Sequence, residues 1–420
     1  MAVDWNRSPR AFVPVCVVAL LGCSGARRDA QQEKPPQQTS QTPVTTPAPP
    51  SWAQGRPADL ASSTLAPHVP MLTATAAKDI PLDRVKLPPG FQIALWAEGV
   101  PNARSMAVGR NGTVFVGTRL IDKVYAVVDR GGRREVKVIA KGLHRPNGVA
   151  FHDGALYVAE LSRIVRFDAI EERLDDPPAP VVVYDKLPKD EPHGWKFLGV
   201  GPDQKLYFNI GAPCNICAPP ATNAQLVRMN LDGSGFETFA RGIRQVVGFD
   251  SDPRTKDLWF TENQRDWLGE EQPEDKLNHA SRAGLDFGFP YCHGGEIVDP
   301  EFGKGRSCSE ATPPAAKVGP HTAPLGMRFY TGDMFPPEYK NRIVMALHGS
   351  WNKAQKSGYS LLSASVAPDG KAKVEPFATG WLQGNEFWGR PVDVQVMRDG
   401  ALLVSDDWNG ALYRISYRQQ

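Results

Sequence analysis

Six stretches of this chain share one design, and that repetition limits the fold more than any other feature. Ser105–Val116 reads SMAVGRNGTVFV, Gly148–Val158 reads GVAFHDGALYV and Phe197–Phe208 reads FLGVGPDQKLYF. Val247–Phe260 reads VGFDSDPRTKDLWF, and Pro391–Val404 reads PVDVQVMRDGALLV. Asn341–Leu347, NRIVMAL, is a weaker copy, fifth in chain order. Apart from the weak copy, each pairs two alternating apolar segments across Asn-Gly, Asp-Gly or Asp with Pro, the residues that tight hairpin turns require. Period 2 dominates and no long segment keeps a helical period. Such copies, recurring about every 40–50 residues with further short strands between them, predict an all-β fold, a six-bladed β-propeller over residues 80–420. A pair of β-sandwiches or a β-helix is the runner-up. The longest gap, Asn263 to Arg328, is expected to carry a large functional insertion.

The 39 Gly and 38 Pro of the 420 residues divide accordingly. Most Gly marks turns, whereas Pro clusters in residues 35–57, within QQEKPPQQTSQTPVTTPAPP and beyond. Residues 23–79 are rich in Gln, Pro, Thr and Ser, lack an apolar period over most of their length, and read as a disordered tether. Ahead of it, Arg7 and Arg10 precede an apolar run from Ala11 to Leu21, too short to span a bilayer, which reads as a signal peptide over 1–22. Leu20-Leu21-Gly22-Cys23 resembles a bacterial lipobox, so Cys23 is the expected lipidation site. The membrane is then met only through this anchor, outer membrane rather than inner, facing the periplasm.

Cys16 leaves with the signal, so Cys214, Cys217, Cys292 and Cys308 remain. In an exported protein an even count predicts disulfides, and three pairings exist. Cys214–Cys217 with Cys292–Cys308 is preferred; a four-thiolate zinc site is the alternative. No His follows Cys217, which excludes a c-type haem attachment.

Lys and Arg total 48 against 46 Asp and Glu, a net charge of +2 that argues against nucleic-acid binding. Polar residues just before the inner strand of each blade would converge at one end of the channel. They are Arg104, Arg145 with Asn147, His193, Arg244 and Arg390, with His348 just after the copy-five strand. A ring of cations and imidazoles suits an anionic ligand carrying carboxylates. Trp267, Trp351, Trp388 and Trp408 lie near the same loops, where an aromatic face either packs a blade or meets a sugar ring.

EPHGWKFLGVGPDQKLYFNIGAP resembles the soluble quinoprotein glucose/sorbosone dehydrogenase family, as do RGIRQVVGFD, TENQRDW and WGRPVDVQVMRDGALLVSDD. GAPCNIC, RDWLG and HGSWN resemble the sorbosone and pyranose dehydrogenase branch. The resemblance, from about Leu87 to Tyr417, implies pyrroloquinoline quinone (PQQ) over the channel mouth with a bound Ca²⁺. It implies that His193 is the general base and that Arg244 lies at the reactive end of the quinone. Arg390 would pair with a PQQ carboxylate; Arg104, Asn147, Asn263 and His348 would be further cofactor contacts. The main-chain carbonyls of Gln264 and Arg265 would hold the calcium. Three residues depart from the glucose-oxidising branch: Ala212 replaces an Asp, Gln264 a Gly and Val392 an Arg.

The expected activity is oxidation of an aldose or sorbosone-like sugar, with electrons leaving to a separate quinone or cytochrome. Two other readings compete: a calcium-dependent lactonase, which needs Glu, Asn and Asp ligands on the channel axis, and a non-catalytic binding propeller.

Overall fold

In a computed structural model, which describes residues 50–418, six sheets ring a common axis, each built on four antiparallel strands, with Leu285–Asp286 added parallel as a fifth strand to blade three. Their inner strands are Ala103–Val108, Gly148–His152, Leu198–Val200, Phe249–Ser251, Pro324–Phe329 and Pro391–Val396. Blade six is completed by the N-terminal strand Phe91–Ala97, which pairs antiparallel with Ala411–Tyr417 from Phe91 opposite Tyr417 to Leu95 opposite Tyr413. Joining both ends of the domain in one sheet closes the ring and leaves only short outer edges.

Alternation explains the core. Each strand sends one set of side chains to each neighbouring blade, so the six large apolar clusters lie between blades. Between blades three and four, Phe197 meets Phe249 edge-on at 4.9 Å. Full burial of such a side chain contributes about 1.5–3 kcal/mol.

Two sequence expectations are corrected here. NRIVMAL, expected to be a weaker copy of the paired repeat, holds only the second strand of blade five, Ile343–Leu347; the inner strand is Pro324–Phe329, PLGMRF. No tight turn joins the two: the chain passes through a 3₁₀ turn at Pro337–Tyr339, so the turn signature is missing. The gap after Asn263 is therefore partly ordinary blade, since Glu274–Ala280 and Ala316–Pro320 are the outer strands of blade four. The true insertion lies between them and is stapled by Cys292–Cys308; Cys214–Cys217 is the second disulfide.

The tether is shorter than its composition indicates. The signal sequence, Cys23 and the tether up to residue 49 lie outside the described residues. From Ser51 the chain lies on the propeller, with 3₁₀ turns at Ser51–Ala53 and Ala58–Leu60. This segment has no apolar face of its own. It is held instead by a concave surface that the propeller supplies, and Arg56 folds it back by donating to the carbonyls of Ser63 and Leu65 at 3.1 and 2.9 Å.

Candidate active site

A cavity of about 480 Å³ opens where the inner strands begin. His193, Arg104, Arg244, His348 and Arg390, singled out by their places in the repeat, all line it, as do Asn263 and Gln264, singled out by the family resemblance. In an antiparallel hairpin, the end of the second strand lies beside the start of the first. Residues just past the second strands therefore reach the same level. Arg119, Asn263, His348 and Asp407 occupy that place in blades one, four, five and six, and all four line the cavity. Apart from His348, the positions expected from the repeat lie ahead of the inner strands, so Arg119 and Asp407 are not among them. His321 is not among them for a different reason: it precedes the inner strand of blade five, which the repeat pattern does not mark, and it also lines the cavity.

The tautomer of His193 follows from its partner. Nδ1 lies 2.9 Å from the carbonyl oxygen of Ala212, which can only accept, so Nδ1 carries the proton and Nε2 is free to act as a base. Ala212 thus orients the imidazole through its main chain, a task that its side chain cannot perform. Burial, then the Arg244 charge, holds His193 well below the usual imidazole range, so it is neutral at pH 7. Its backbone has φ 51°, a conformation that costs energy in a residue with a Cβ and that functional positions often retain. Gly211 allows the close approach: a Cβ there would come within 2.6 Å of the His193 Cβ.

Arg244 is fixed from two sides. Nε donates to the carbonyl of Asn215 at 2.9 Å, and Nη2 to the Asn215 side chain at 2.8 Å and to Asp266 at 2.9 Å. Asn215 lies inside the Cys214–Cys217 loop, so this disulfide positions the residue that aims Arg244. Arg104 is buried, pairs with Asp407 at 2.9 Å and donates to Asn147 at 3.1 Å. Asn147 in turn donates to the carbonyl of Lys196 and does not line the cavity. It supports Arg104 from behind the cavity wall, whereas it was expected to contact the cofactor directly. Neutral His348, pushed down to about 3 by burial and by the Arg390 charge, donates Nε2–H to Asp407 at 2.8 Å.

Five arginines line the cavity: Arg104, Arg119, Arg145, Arg244 and Arg390. Asp407, Glu191 and Asp266 pair with Arg104, Arg145 and Arg244. Arg119 and Arg390 have no carboxylate partner among the described residues. Arg119 lies over the Trp195 ring at 3.7 Å, its Nε is buried without a hydrogen bond, and burial followed by the Arg104 charge pushes it down to about 9. Among the described residues the Arg390 side chain donates only to the carbonyls of His348 and Gly349, at 3.2 and 3.1 Å.

At the expected calcium position, Gln264 lines the cavity, while the Arg265 side chain turns away to Asp299. The carbonyls of Gln264 and Arg265 accept no hydrogen bond among the described residues. Asp275 accepts the Gln264 N–H at 2.8 Å and is pushed up to about 6 by burial. Among the described residues no group of three or more His, Cys, Asp or Glu side chains is placed to hold a metal ion. Val392 packs with Val247 and Leu325 against Trp195, filling with apolar contact the place where an arginine was expected in the glucose-oxidising branch.

Of the four tryptophans singled out, Trp351 and Trp408 line the cavity and Trp267 and Trp388 do not. Trp52 and Trp195, unremarked in the sequence, also line it.

The family model for glucose / sorbosone dehydrogenase matches residues 164–414. An uncharacterised protein of Borreliella burgdorferi is 29% identical over 361 residues, covering 82% of this chain and 93% of that protein. A PQQ-dependent pyranose dehydrogenase of Coprinopsis cinerea is 31% identical over 127 residues, covering 26% of this chain and 17% of that protein. The solved holo form of the PQQ domain of a pyranose dehydrogenase from Coprinopsis cinerea superposes with a TM-score of 0.65 at 19% identity, over 79% of this chain and 97% of that one.

Proposed function

The chain belongs to the glucose/sorbosone dehydrogenase family, and from that premise we propose that it oxidises an aldose or sorbosone-like sugar with PQQ as its cofactor. The observation that carries this reading is the pair Arg119 and Arg390, two cations at the cavity wall that lack a carboxylate partner among the described residues. A ligand bearing several carboxylates meets that need, and bidentate arginine–carboxylate pairs are strong and directional.

PQQ, when bound, supplies the hydride acceptor. His193 Nε2 takes the hydroxyl proton of the sugar while its Nδ1–H stays on the Ala212 carbonyl. Arg244, held rigid by Asn215 and Asp266, offers the second N–H of Nη1, whose first reaches the Asn263 carbonyl at 3.4 Å, to an oxygen that gains negative charge. Arg390, with Arg104 and His348 behind it, binds and orients the acidic end of the cofactor. Asn263 offers an amide at the same level. The carbonyls of Gln264 and Arg265 are the proposed Ca²⁺ ligands. The lactonase reading needs free acidic ligands, but here Asp266 is taken by Arg244, Asp407 by Arg104 and His348, and Asp275 by main-chain N–H groups.

The proposal extends to location. The protein is exported, anchored through a lipid on Cys23, and hands its electrons to a separate quinone or cytochrome.

Reconstitution tests the reading. Purified protein mixed with PQQ and Ca²⁺ should reduce a redox dye when given an aldose, and a fluorescence titration should show PQQ binding. Failure to bind PQQ would exclude the dehydrogenase. The pH dependence is a second check. A base whose folded pKa is lowered stays active as pH falls and loses activity only through that lowered value. The acid limb of kcat/KM should therefore lie well below the unperturbed imidazole value of about 6.5. A midpoint near 6.5 would remove His193 as the base.

A further inference from the structure

We propose that residues 51–71 form the substrate-side wall of the cavity, and that Trp52 and His68 on this segment determine which sugars enter. The inference rests on the dehydrogenase reading and deepens it. Ser51, Trp52, Pro67, His68, Pro70 and Met71 all line the cavity, although they precede the first blade strand and belong to no repeat.

The segment is fastened at both ends. At one end the Gln54 side chain donates to the Ile216 carbonyl at 3.1 Å and accepts the Asn215 N–H at 3.0 Å, while its carbonyl accepts the Asn215 amide at 2.8 Å. The Trp52 carbonyl accepts the Trp267 indole N–H at 2.7 Å, and Arg56 stacks over the Trp267 ring at 4.3 Å. At the other end His68 Nε2 bonds the Tyr359 hydroxyl at 2.9 Å, and its ring meets Phe387 at 4.7 Å. Further on, Thr75 N–H donates to the Asn409 carbonyl at 2.8 Å. Asn215, which anchors the segment, is also the residue that aims Arg244, so the wall and the reactive end share one support.

The exposed chemistry suits a sugar. Trp52 meets Trp351 edge-on at 5.8 Å, and Trp408 joins them in the lining. Aromatic faces of this kind cover the apolar side of a pyranose ring, and a few placed polar groups fix its hydroxyls. His68 leaves Nδ1 without a partner among the described residues. On the proposal, a wall fastened on two sides also limits length, favouring a single sugar ring over longer saccharides.

The test uses the full-length protein and two variants, Trp52→Ala and the double variant Gln54→Ala/Arg56→Ala. Hydrogen exchange of peptides covering 51–72, measured without cofactor, should be at least tenfold slower than unstructured chain in the unmutated protein and faster in the double variant. Exchange at the unstructured rate in the unmutated protein overturns the proposal whatever binds in the cavity. With PQQ loaded, Trp52→Ala should raise KM for an aldose about tenfold with kcat little changed and PQQ affinity intact. Both variants should raise kcat/KM for a trisaccharide relative to the monosaccharide. Unchanged KM and unchanged size preference in both variants would overturn the proposal while leaving the dehydrogenase reading standing. Absence of PQQ binding in the unmutated protein would instead overturn that reading, and the sugar selectivity with it.

Discussion

His193→Ala is expected to lower kcat by about 10²–10⁴-fold, the usual contribution of a positioned general base. The loss should fall on kcat more than on cofactor affinity, because His193 is a neutral group among the arginines that would hold the cofactor. PQQ binding should therefore be retained, and a fluorescence titration of the variant checks this. His193→Asn is the sharper comparison. An Asn side chain can still donate to the Ala212 carbonyl, which His193 Nδ1 meets at 2.9 Å, but it offers no basic nitrogen. If the imidazole serves only to hold the turn, Asn should restore activity. If it is the base, Asn should be as slow as Ala. Activity within threefold of the unmutated enzyme in both variants would end this assignment.

The parts of this molecule that were legible in the sequence are those set by local patterning. Alternation and tight-turn residues define five of the six hairpins within about a dozen residues each, and repetition then fixes the blade number. Blade five was misread because its first two strands are joined by a long connection rather than a turn, so only NRIVMAL stood out. Arginine and histidine positions were legible for a related reason: the repeat itself marks the start of each inner strand. What depends on distant contacts was not legible. Trp52 and His68 are met by residues 267, 351, 359 and 387, and nothing in their neighbourhood along the chain announces it. Asn147 sits at a marked position but spends its amide on Arg104 and the Lys196 carbonyl, a choice that only packing decides.

Asp407 is the missed residue with the largest expected effect on stability. Its carboxylate receives Arg104 at 2.9 Å and His348 at 2.8 Å, and the Arg104 side chain is 1% exposed. Burial opposes its ionisation, yet His348 and Arg104 hold it well below the usual carboxylate range. Asp407→Ala leaves Arg104 buried with only a neutral Asn147 oxygen, and breaking a buried pair from one side costs about 3–5 kcal/mol. Chemical denaturation should show this as a lower midpoint with an unchanged slope. Asp407→Asn keeps the shape and one acceptor and should lose less. The pH dependence follows from the direction of the shift. A depressed carboxylate contributes stability above its unfolded value, about 3.9, and loses it as pH falls through the folded value. The gap between unmutated protein and Asp407→Ala should therefore be level from pH 5 to 8 and narrow only in stronger acid. A gap below about 1 kcal/mol at pH 7 would mean that Arg104 is solvated in the free enzyme. Its charge would then belong with Arg119 and Arg390 as a third cation open to the cofactor, rather than as the fixed support beneath them.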